Sequence, residues 1–256
     1  MSGRFSHLEY GDEPRRHQAH LAETGTAIVT AEKLLAQADE AFRWGDFEPA
    51  LRLYTRCLER NRKVVPAWVG QVRMLVELGE NTEARMWADK ALELFPSNGE
   101  LLAAKAQACT RLRDRRAAYA CSDGSIQAAG TSAWRWQARG EVLLAYREPT
   151  HAACFQKAMA EPDANWFDRL VIARICLFYR KAAAALDYAA QAVSAQPNAA
   201  YAWYVQGLCQ QALGLSAART SFERCLEIRA DYAPARRAMK EDPTFFTRLW
   251  RRIAGR

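Results

Sequence analysis

The sequence predicts an all-α protein made of about six stacked helix–turn–helix repeats, and a period of 34 residues is the main observation behind this prediction. The pattern that runs from Ala67 to Pro96 recurs when the sequence is shifted by this period in either direction. Small residues return at the same places in the copies, and a proline closes the clearest one. Such a period is typical of repeats that bury their apolar faces only by stacking on one another.

Each predicted repeat consists of a first helix (helix A), a short turn and a second helix (helix B). In the second repeat Trp68 lies early in helix A, Gly79 forms the turn, and Ala84 and Ala91 lie in helix B. Small side chains let helix axes approach to about 8–10 Å, and Pro96 ends helix B because proline cannot continue a helix. Within an array at 30–234, the repeats are predicted at 31–64, 65–98, 99–132, about 133–165, 166–199 and about 200–232.

The middle of the array is predicted to be its least regular part. In the third repeat, residues 122–125 (Ser-Asp-Gly-Ser) replace the bulky and small pair expected in helix B. The fourth repeat is one residue short at the turn that begins with Arg147, and its helix B is predicted to end early at Glu161-Pro162. The sixth repeat is one residue short before Phe222. We therefore expect these repeats to deviate most from the geometry of the second.

Two segments lie outside the repeats. Residues 1–29 are polar and predict a flexible extension, although Phe5, Leu8 and Tyr10 form an apolar cluster that could dock on the array or on a partner. Residues 235–256 predict a basic amphipathic helix that caps the last repeat, because Asp242-Pro243 is a favourable helix start. The predicted tail surface has an apolar side with Phe245, Phe246, Leu249, Trp250 and Ile253, and a basic side with Arg248, Arg251 and Arg252.

The basic character of the chain is concentrated in this tail. The net charge is +7, and residues 236–256 contain seven Arg or Lys residues against two acidic ones. The rest of the chain is therefore close to neutral, and binding to nucleic acid is not expected.

The reactive residues indicate no catalytic or metal site. The seven Cys residues include no CxxC pair, so they favour buried free thiols over a disulfide framework or a zinc site. No catalytic motif or phosphate-binding glycine loop is present. We therefore expect a protein without enzymatic activity, cofactor or metal. The absence of a long apolar run and of an N-terminal apolar segment predicts a cytoplasmic location.

The residues quoted for the second repeat resemble the tetratricopeptide repeat, and so do Ala185, Ala192 and Pro197 of the fifth. This resemblance implies a right-handed α-solenoid whose helices A line a concave groove, with their second, fifth, ninth, twelfth and thirteenth positions pointing into it. In the first three repeats these positions hold the mixed-charge set: Glu32, Asp39, Arg43, Arg73, Glu77, Gln107 and Arg111. In the last three they hold the aromatic set: Trp134, Gln137, Glu141, Phe167, Arg174, Leu177, Phe178, Tyr201, Tyr204 and Gln211.

The resemblance implies a scaffold or adaptor that binds a peptide or a helix of a partner protein in this groove. Aromatic side chains and Arg often supply the binding energy of such interfaces, although each aromatic could instead pack between repeats. The excess of Arg over Lys is typical of a GC-rich bacterial genome, so the expected setting is a bacterial multiprotein complex. In the alternative interpretation, the C-terminal helix recruits the protein to an anionic membrane surface.

Overall fold

The described residues of the chain, 30–240 of a computed structural model, form thirteen α-helices and no strand. The prediction of an all-α fold is therefore confirmed. The predictions for residues 1–29 and for the tail from residue 241 onwards, including the predicted tail surface, lie outside the described residues.

The helices fall into two compact units, residues up to Gly130 and residues from Thr131 onwards, and each unit is described by itself. The N-terminal unit contains α1 (Ala31–Arg43), α2 (Phe47–Arg60), α3 (Val65–Glu77), α4 (Asn81–Leu94), α5 (Gly99–Arg111) and α6 (Arg115–Gln127). The C-terminal unit contains α7 (Ala133–Ala145), α8 (His151–Ala160), α9 (Trp166–Phe178), α10 (Ala182–Ala195), α11 (Ala200–Ala212), α12 (Ala217–Ile228) and α13 (Ala233–Lys240).

Packing in both units follows the helix–turn–helix pattern. Within each repeat helix A packs on helix B, and helix B also packs on the helix A that follows it within the same unit. The helices A of neighbouring repeats touch as well: α1 meets α3, α3 meets α5, α7 meets α9, and α9 meets α11. Each unit therefore has a layer of adjoining helices A. The last helix, α13, packs on α12.

One turn geometry joins helix A to helix B in all six repeats. The middle residue of the turn has a left-handed backbone, and the next residue donates its N–H to a carbonyl five positions back, as Glu80 does to Leu75 at 2.9 Å. This bond is the 6→1 bond of a Schellman motif, which satisfies a carbonyl at the helix end. The middle residues are Gly45, Gly79, Arg113, Arg147, Arg180 and Gly214.

The expected irregularity of the fourth repeat lies in helix B, and the turn itself is regular. Arg147 has φ 62°, and Glu148 N donates to Leu143 O at 2.8 Å, as in the other turns. In contrast, α8 has 10 residues whereas α4 has 14. The early end that the sequence predicts for helix B at Glu161-Pro162 agrees with the last residue of α8, Ala160, and at the turn an arginine adopts the left-handed conformation that glycine adopts in the second repeat.

In the third repeat helix B keeps the packing pattern that the sequence was expected to lose there. The helix α6 runs through residues 122–125, and Ser125 Oγ donates to Gly99 O at 2.8 Å. Cys57 Sγ makes the equivalent bond to Ala31 O at 3.2 Å in the first repeat. Ser125 therefore fills the slot for a small residue, and its hydroxyl ties the end of helix B to the start of helix A.

Small residues create the closest helix crossings. A Cβ atom placed on Gly140 would lie 2.3 Å from Phe155 Cε1, so the phenyl ring of α8 rests directly on the backbone of α7. Such a distance is too short for a real contact, and only glycine fits there. The same relation holds between Gly207 and Phe222 and between Gly70 and Tyr54. Ala84 and Ala192, predicted at helix crossings, are completely buried.

Candidate functional site

In the N-terminal unit, Asp39 forms part of a buried link between the first two helices. Tyr54 on α2 donates its hydroxyl hydrogen to Asp39 Oδ1 on α1 at 2.7 Å. Burial raises the pKa of Tyr54 well above its ordinary value, and the neighbouring Asp39 carboxylate raises it further. The phenol therefore stays protonated and remains a donor over the whole physiological pH range.

The neighbouring Arg73 joins two helices A through an aromatic ring. Its guanidinium carbon lies 4.7 Å from the ring centroid of Phe42, so a side chain of α3 covers a buried ring of α1. A cation above an aromatic face is attracted by the ring's quadrupole, and the contact also orders the long side chain. Arg73 thus has a defined position while its side chain remains half-buried.

The rest of the mixed-charge set is divided between surface and core. Glu32 and Arg43 are exposed, and Asp39, Glu77 and Arg111 are half-buried. Gln107 is buried, so its amide offers little surface to a partner. The role of Gln107 in a binding surface remains a prediction.

In the C-terminal unit, Gln137 connects two helices A. Its Nε2 donates to Asp168 Oδ1 at 2.7 Å, which ties α7 to the first turn of α9. Asp168 Oδ2 also accepts from the backbone N of Asn165 at 2.9 Å, and the Asn165 side chain caps the helix in return. Asp168 is not among the residues predicted from the sequence, although Asn-x-x-Asp before an apolar run resembles a capping box.

Glu141 is also part of the connection between helices A. It has no exposed surface, and Tyr179, the residue that follows α9, donates its hydroxyl hydrogen to Glu141 Oε1 at 3.2 Å. Burial raises the pKa of the nearby Cys176 to about 12, and the charge of Glu141 contributes to the shift. Glu141 and Gln137 therefore belong to the interior of this unit, and a contact of Glu141 with a partner remains a prediction.

A cluster of aromatic rings with an arginine above it lies between α9, α11 and the segment before α13. The guanidinium carbon of Arg174 is 5.9 Å from the Tyr201 ring centroid. Tyr201 stacks on Tyr204 with centroids 6.3 Å apart, and Tyr232 meets Tyr204 edge-on at 5.3 Å. Tyr201 and Tyr232 are buried, whereas Arg174 and Tyr204 are half-buried. The sequence analysis had no signal for Tyr232, which precedes the last described helix.

The accessible part of the aromatic set is smaller than predicted. Trp134, Phe167 and Tyr201 are buried, so these rings belong to the core and offer little surface to a ligand. Phe178 is 57% exposed and packs edge-on against Tyr179 with centroids 4.9 Å apart. The members with accessible side chains are Arg174, Leu177, Phe178, Tyr204 and Gln211.

All seven Cys residues are buried free thiols. Between residues 30 and 240, His, Cys, Asp and Glu side chains nowhere gather in a group of three or more that could hold a metal ion. None of the described helices is both long enough and apolar enough to cross a membrane.

Comparison with known proteins finds a repeat family in the N-terminal part of the chain. A family model described as tetratricopeptide repeat matches residues 35–99. A relative from rice, Oryza sativa subsp. japonica, named as a homolog of protein SGT1, is 35% identical over 94 residues, which cover 37% of this chain and 26% of that protein. The chain thus spans about a quarter of the length of this relative.

Solved structures share the fold over most of the chain. A tetratricopeptide-repeat protein from Thermus thermophilus matches with a TM-score of 0.55 and 19% identity. The match covers 73% of this chain and 100% of the other. A second, from Parabacteroides merdae, matches with a TM-score of 0.53 and 16% identity, over 87% of this chain and 88% of the other. At these identities the likeness concerns the fold alone.

Proposed function

We propose that this chain, whose residues 35–99 match the tetratricopeptide-repeat model, acts as a non-catalytic scaffold that binds a peptide or a helix of a partner protein. The proposed contact surface is the A-helix face of the C-terminal unit, defined here by the accessible side chains Arg174, Leu177, Phe178, Tyr204 and Gln211. Repeats of this family generally mediate contacts between proteins, which supports the general role.

The observation that carries the proposal is the pairing of Arg174 with Phe178 on α9. The two residues are four positions apart, so they lie on the same side of the helix. Arg174 is ordered by the Tyr201 ring, while Phe178 is 57% exposed. An arginine that is already ordered loses less conformational entropy when a partner binds. An exposed aromatic side chain contributes favourable binding free energy when the partner covers it. A partner segment with a carboxylate one helical turn from an apolar side chain would complement both.

The polar groups behind this face support a structural role for the layer of helices A. Gln137 is bonded to Asp168, and Glu141 accepts from Tyr179. These side chains hold α7 and α9 together, and such cross-links make the helices a rigid support for a binding surface. A pre-formed surface needs little rearrangement to receive a peptide.

The proposed setting is a multiprotein complex in the bacterial cytoplasm. The burial of seven free thiols is typical of a reducing compartment, in which disulfides do not form. The high ratio of Arg to Lys supports a bacterial origin.

The proposal can be tested by site-specific photo-crosslinking in the source cell. A photoreactive phenylalanine analogue at position 178 should capture one predominant protein, whose linked peptide is then identified by mass spectrometry. The matched control places the same analogue at Gln191, which is exposed on helix B of the same repeat. A synthetic copy of the captured peptide should bind the purified protein in calorimetry. Capture from position 191 in place of 178, or a synthetic peptide that does not bind, would contradict the proposal.

A further inference from the structure

Two of the seven buried thiols lie together in the third repeat. Cys109 is on α5 and Cys121 is on α6, and their side chains are hydrogen-bonded to each other. Cys109 has no exposed surface, whereas Cys121 is 8% exposed. A disulfide requires two cysteines whose side chains point toward each other, and this pair meets that requirement across the two helices of one repeat.

The repeat register gives an independent reason for this contact. In the fourth repeat the ring of Phe155 on helix B rests on Gly140 of helix A. Counted from the left-handed residue of each turn, Cys121 holds the position of Phe155, and Ala106 holds that of Gly140. Cys109 follows Ala106 by three residues, so it lies on the same side of α5. The register therefore directs both thiols into the contact between α5 and α6.

Hydrogen bonds fix both ends of this helix pair. At the turn, Asp114 N donates to Cys109 O at 2.9 Å. At the other end, Ser125 Oγ donates to Gly99 O at 2.8 Å. The two cysteines are therefore held between two fixed points, and a bond between them would close a short ring around the turn.

The groups around the pair make Cys121 the more reactive thiol. The hydrogen bond with Cys109 lowers the pKa of Cys121, and Lys105 lowers it further, whereas burial and the carboxylates of Asp89 and Asp114 raise it. The hydrogen bond with Cys121 raises the pKa of Cys109, and burial raises it further. The thiolate is the nucleophilic form of cysteine. Cys121, which is also the thiol that solvent can reach, is therefore the one that reacts first.

We propose that Cys109 and Cys121 form a reversible disulfide when the protein meets hydrogen peroxide, and that this bond joins the two helices of the third repeat. The Cys121 thiolate attacks one peroxide oxygen, the O–O bond breaks, and the departing hydroxide takes up the proton that Cys121 released. Cys121 is thereby oxidised to a sulfenic acid, and the peroxide is reduced.

The second thiol completes the reaction. The sulfur of Cys109 attacks the sulfenic sulfur of Cys121, the S–S bond forms, and the S–O bond breaks. The departing hydroxide leaves as water with the proton of Cys109. Two thiols and one peroxide thus give one disulfide and two water molecules. A dithiol reductant restores both thiols by exchange.

The inference does not depend on the proposed function, because both cysteines lie in the N-terminal unit and the proposed A-helix face lies in the C-terminal unit. It also agrees with a reducing compartment. There the pair rests as two thiols, and the disulfide lasts only while peroxide outcompetes the reductants.

The test exposes the full chain to hydrogen peroxide, alkylates the remaining thiols and maps the digest by mass spectrometry without reductant. Two of the seven thiols should be lost, and Cys109 should be found linked to Cys121 within one molecule. Cys154 is the matched control, because it is 7% exposed and should remain a thiol. Oxidation of Cys154 at the same rate, or a link between any other two cysteines in place of this one, would overturn the proposal.

Two variants test the order of the reaction. In Cys109→Ser, Cys121 should stop at the sulfenic acid, which dimedone traps as an adduct. In Cys121→Ser, Cys109 should give no adduct. An adduct at Cys109 in the absence of Cys121 would contradict the role of Cys121 as the attacking thiol. The mapping on the wild-type chain decides the proposal even if a variant does not fold.

Amide hydrogen exchange tests the effect on the repeat. In the oxidised wild-type protein, exchange in the turn around Arg113 should slow by about tenfold or more, because the closed ring restricts local opening. A dithiol reductant should reverse the change. The turn around Gly79 in the second repeat is the control and should exchange at the same rate in both states. Unchanged exchange around Arg113 in the disulfide-linked protein would show that the bond does not restrain the third repeat.

Discussion

The guanidinium carbon of Arg174 lies 5.9 Å from the centroid of the Tyr201 ring, which belongs to the next helix A. Arg73 makes a similar contact in the N-terminal unit, where it lies 4.7 Å from the Phe42 ring on the preceding helix A. Both arginines occupy the ninth position of their repeat. In both units the ninth position of a repeat therefore holds an arginine whose guanidinium is ordered by an aromatic ring on a neighbouring helix A.

Replacement of Arg174 and Tyr204 by Ala should abolish binding of the partner captured from position 178. Loss of a central side chain of this type typically costs about 2 kcal/mol or more, which is about thirtyfold in affinity. Calorimetry with the captured peptide measures the loss, and circular dichroism should show an unchanged helix content. The control replaces Arg219 and Arg224, which are exposed on helix B α12, by Ala and should bind normally. Normal binding by the variant that lacks the Arg174 and Tyr204 side chains would exclude the A-helix face as the binding surface.

Replacement of Ala84 or Ala192 by Trp should destabilise the protein by roughly 1–3 kcal/mol or more. Both alanines are completely buried at helix crossings, and an indole there must push two helices apart. Urea unfolding measures the change. The controls Thr82→Trp and Ala183→Trp place the same side chain at exposed positions of the same two helices. If the buried and exposed variants had equal midpoints, the crossings would not be tightly packed.

The left-handed turns allow a test of backbone strain in both directions. Gly79 has φ +85° and nothing lies within 4 Å of a Cβ placed on it, so Gly79→Ala should cost about 1 kcal/mol through strain alone. Arg180 has φ 59°, and Arg180→Gly should therefore raise the free energy of unfolding. Glycine adds entropy to the unfolded chain, which reduces the gain at Arg180, and its removal likewise offsets part of the cost at Gly79. Denaturant titration measures the free energy of unfolding of both variants. If both variants were more stable than the wild type, or both less stable, the role of backbone strain in these turns would be contradicted.

Alkaline pH should destabilise the wild-type protein partly through Tyr54. Its pKa is raised in the folded state, so the stabilisation is fully present below the unfolded value of about 10 and is lost as pH rises above it. Tyr54→Phe lacks this ionisation, and it also loses the bond to Asp39, which costs about 1–3 kcal/mol at neutral pH. The stability difference between the two proteins should therefore narrow above pH about 10. Denaturant unfolding between neutral and alkaline pH measures the stability difference between the wild type and Tyr54→Phe, and Tyr119→Phe is the control. A constant difference would contradict the assignment.

The turns show why part of the local structure was predictable and part was not. Gly79 and Gly214 mark two of the turns directly, because glycine readily adopts a positive φ. Arg147 and Arg180 adopt the same conformation without any such mark. Packing of the two helices imposes the turn on these two arginines, and the sequence pattern does not mark them as left-handed.

The candidate site shows a similar division. The sequence identified the helix positions that hold Arg174, Phe178 and Tyr204, because repeat register determines the side of helix A on which a residue lies. It did not identify Tyr179 or Asp168, which bond to Glu141 and Gln137 from another helix. Those partners are more than thirty residues away in the chain, at separations of 38 and 31.

The sequence by itself determined the all-α class and the helix–turn–helix repeat, because period and small residues are local properties that recur along the chain. Only the tertiary structure decided which residues of the predicted surface are accessible. Glu141 is buried and Phe178 is exposed, although both occupy groove positions in the repeat. The physical reason is that repeat register sets the direction of a side chain, whereas its exposure depends on which distant residues pack against it. A buried carboxylate such as Glu141 is tolerated because Tyr179 supplies a hydrogen bond.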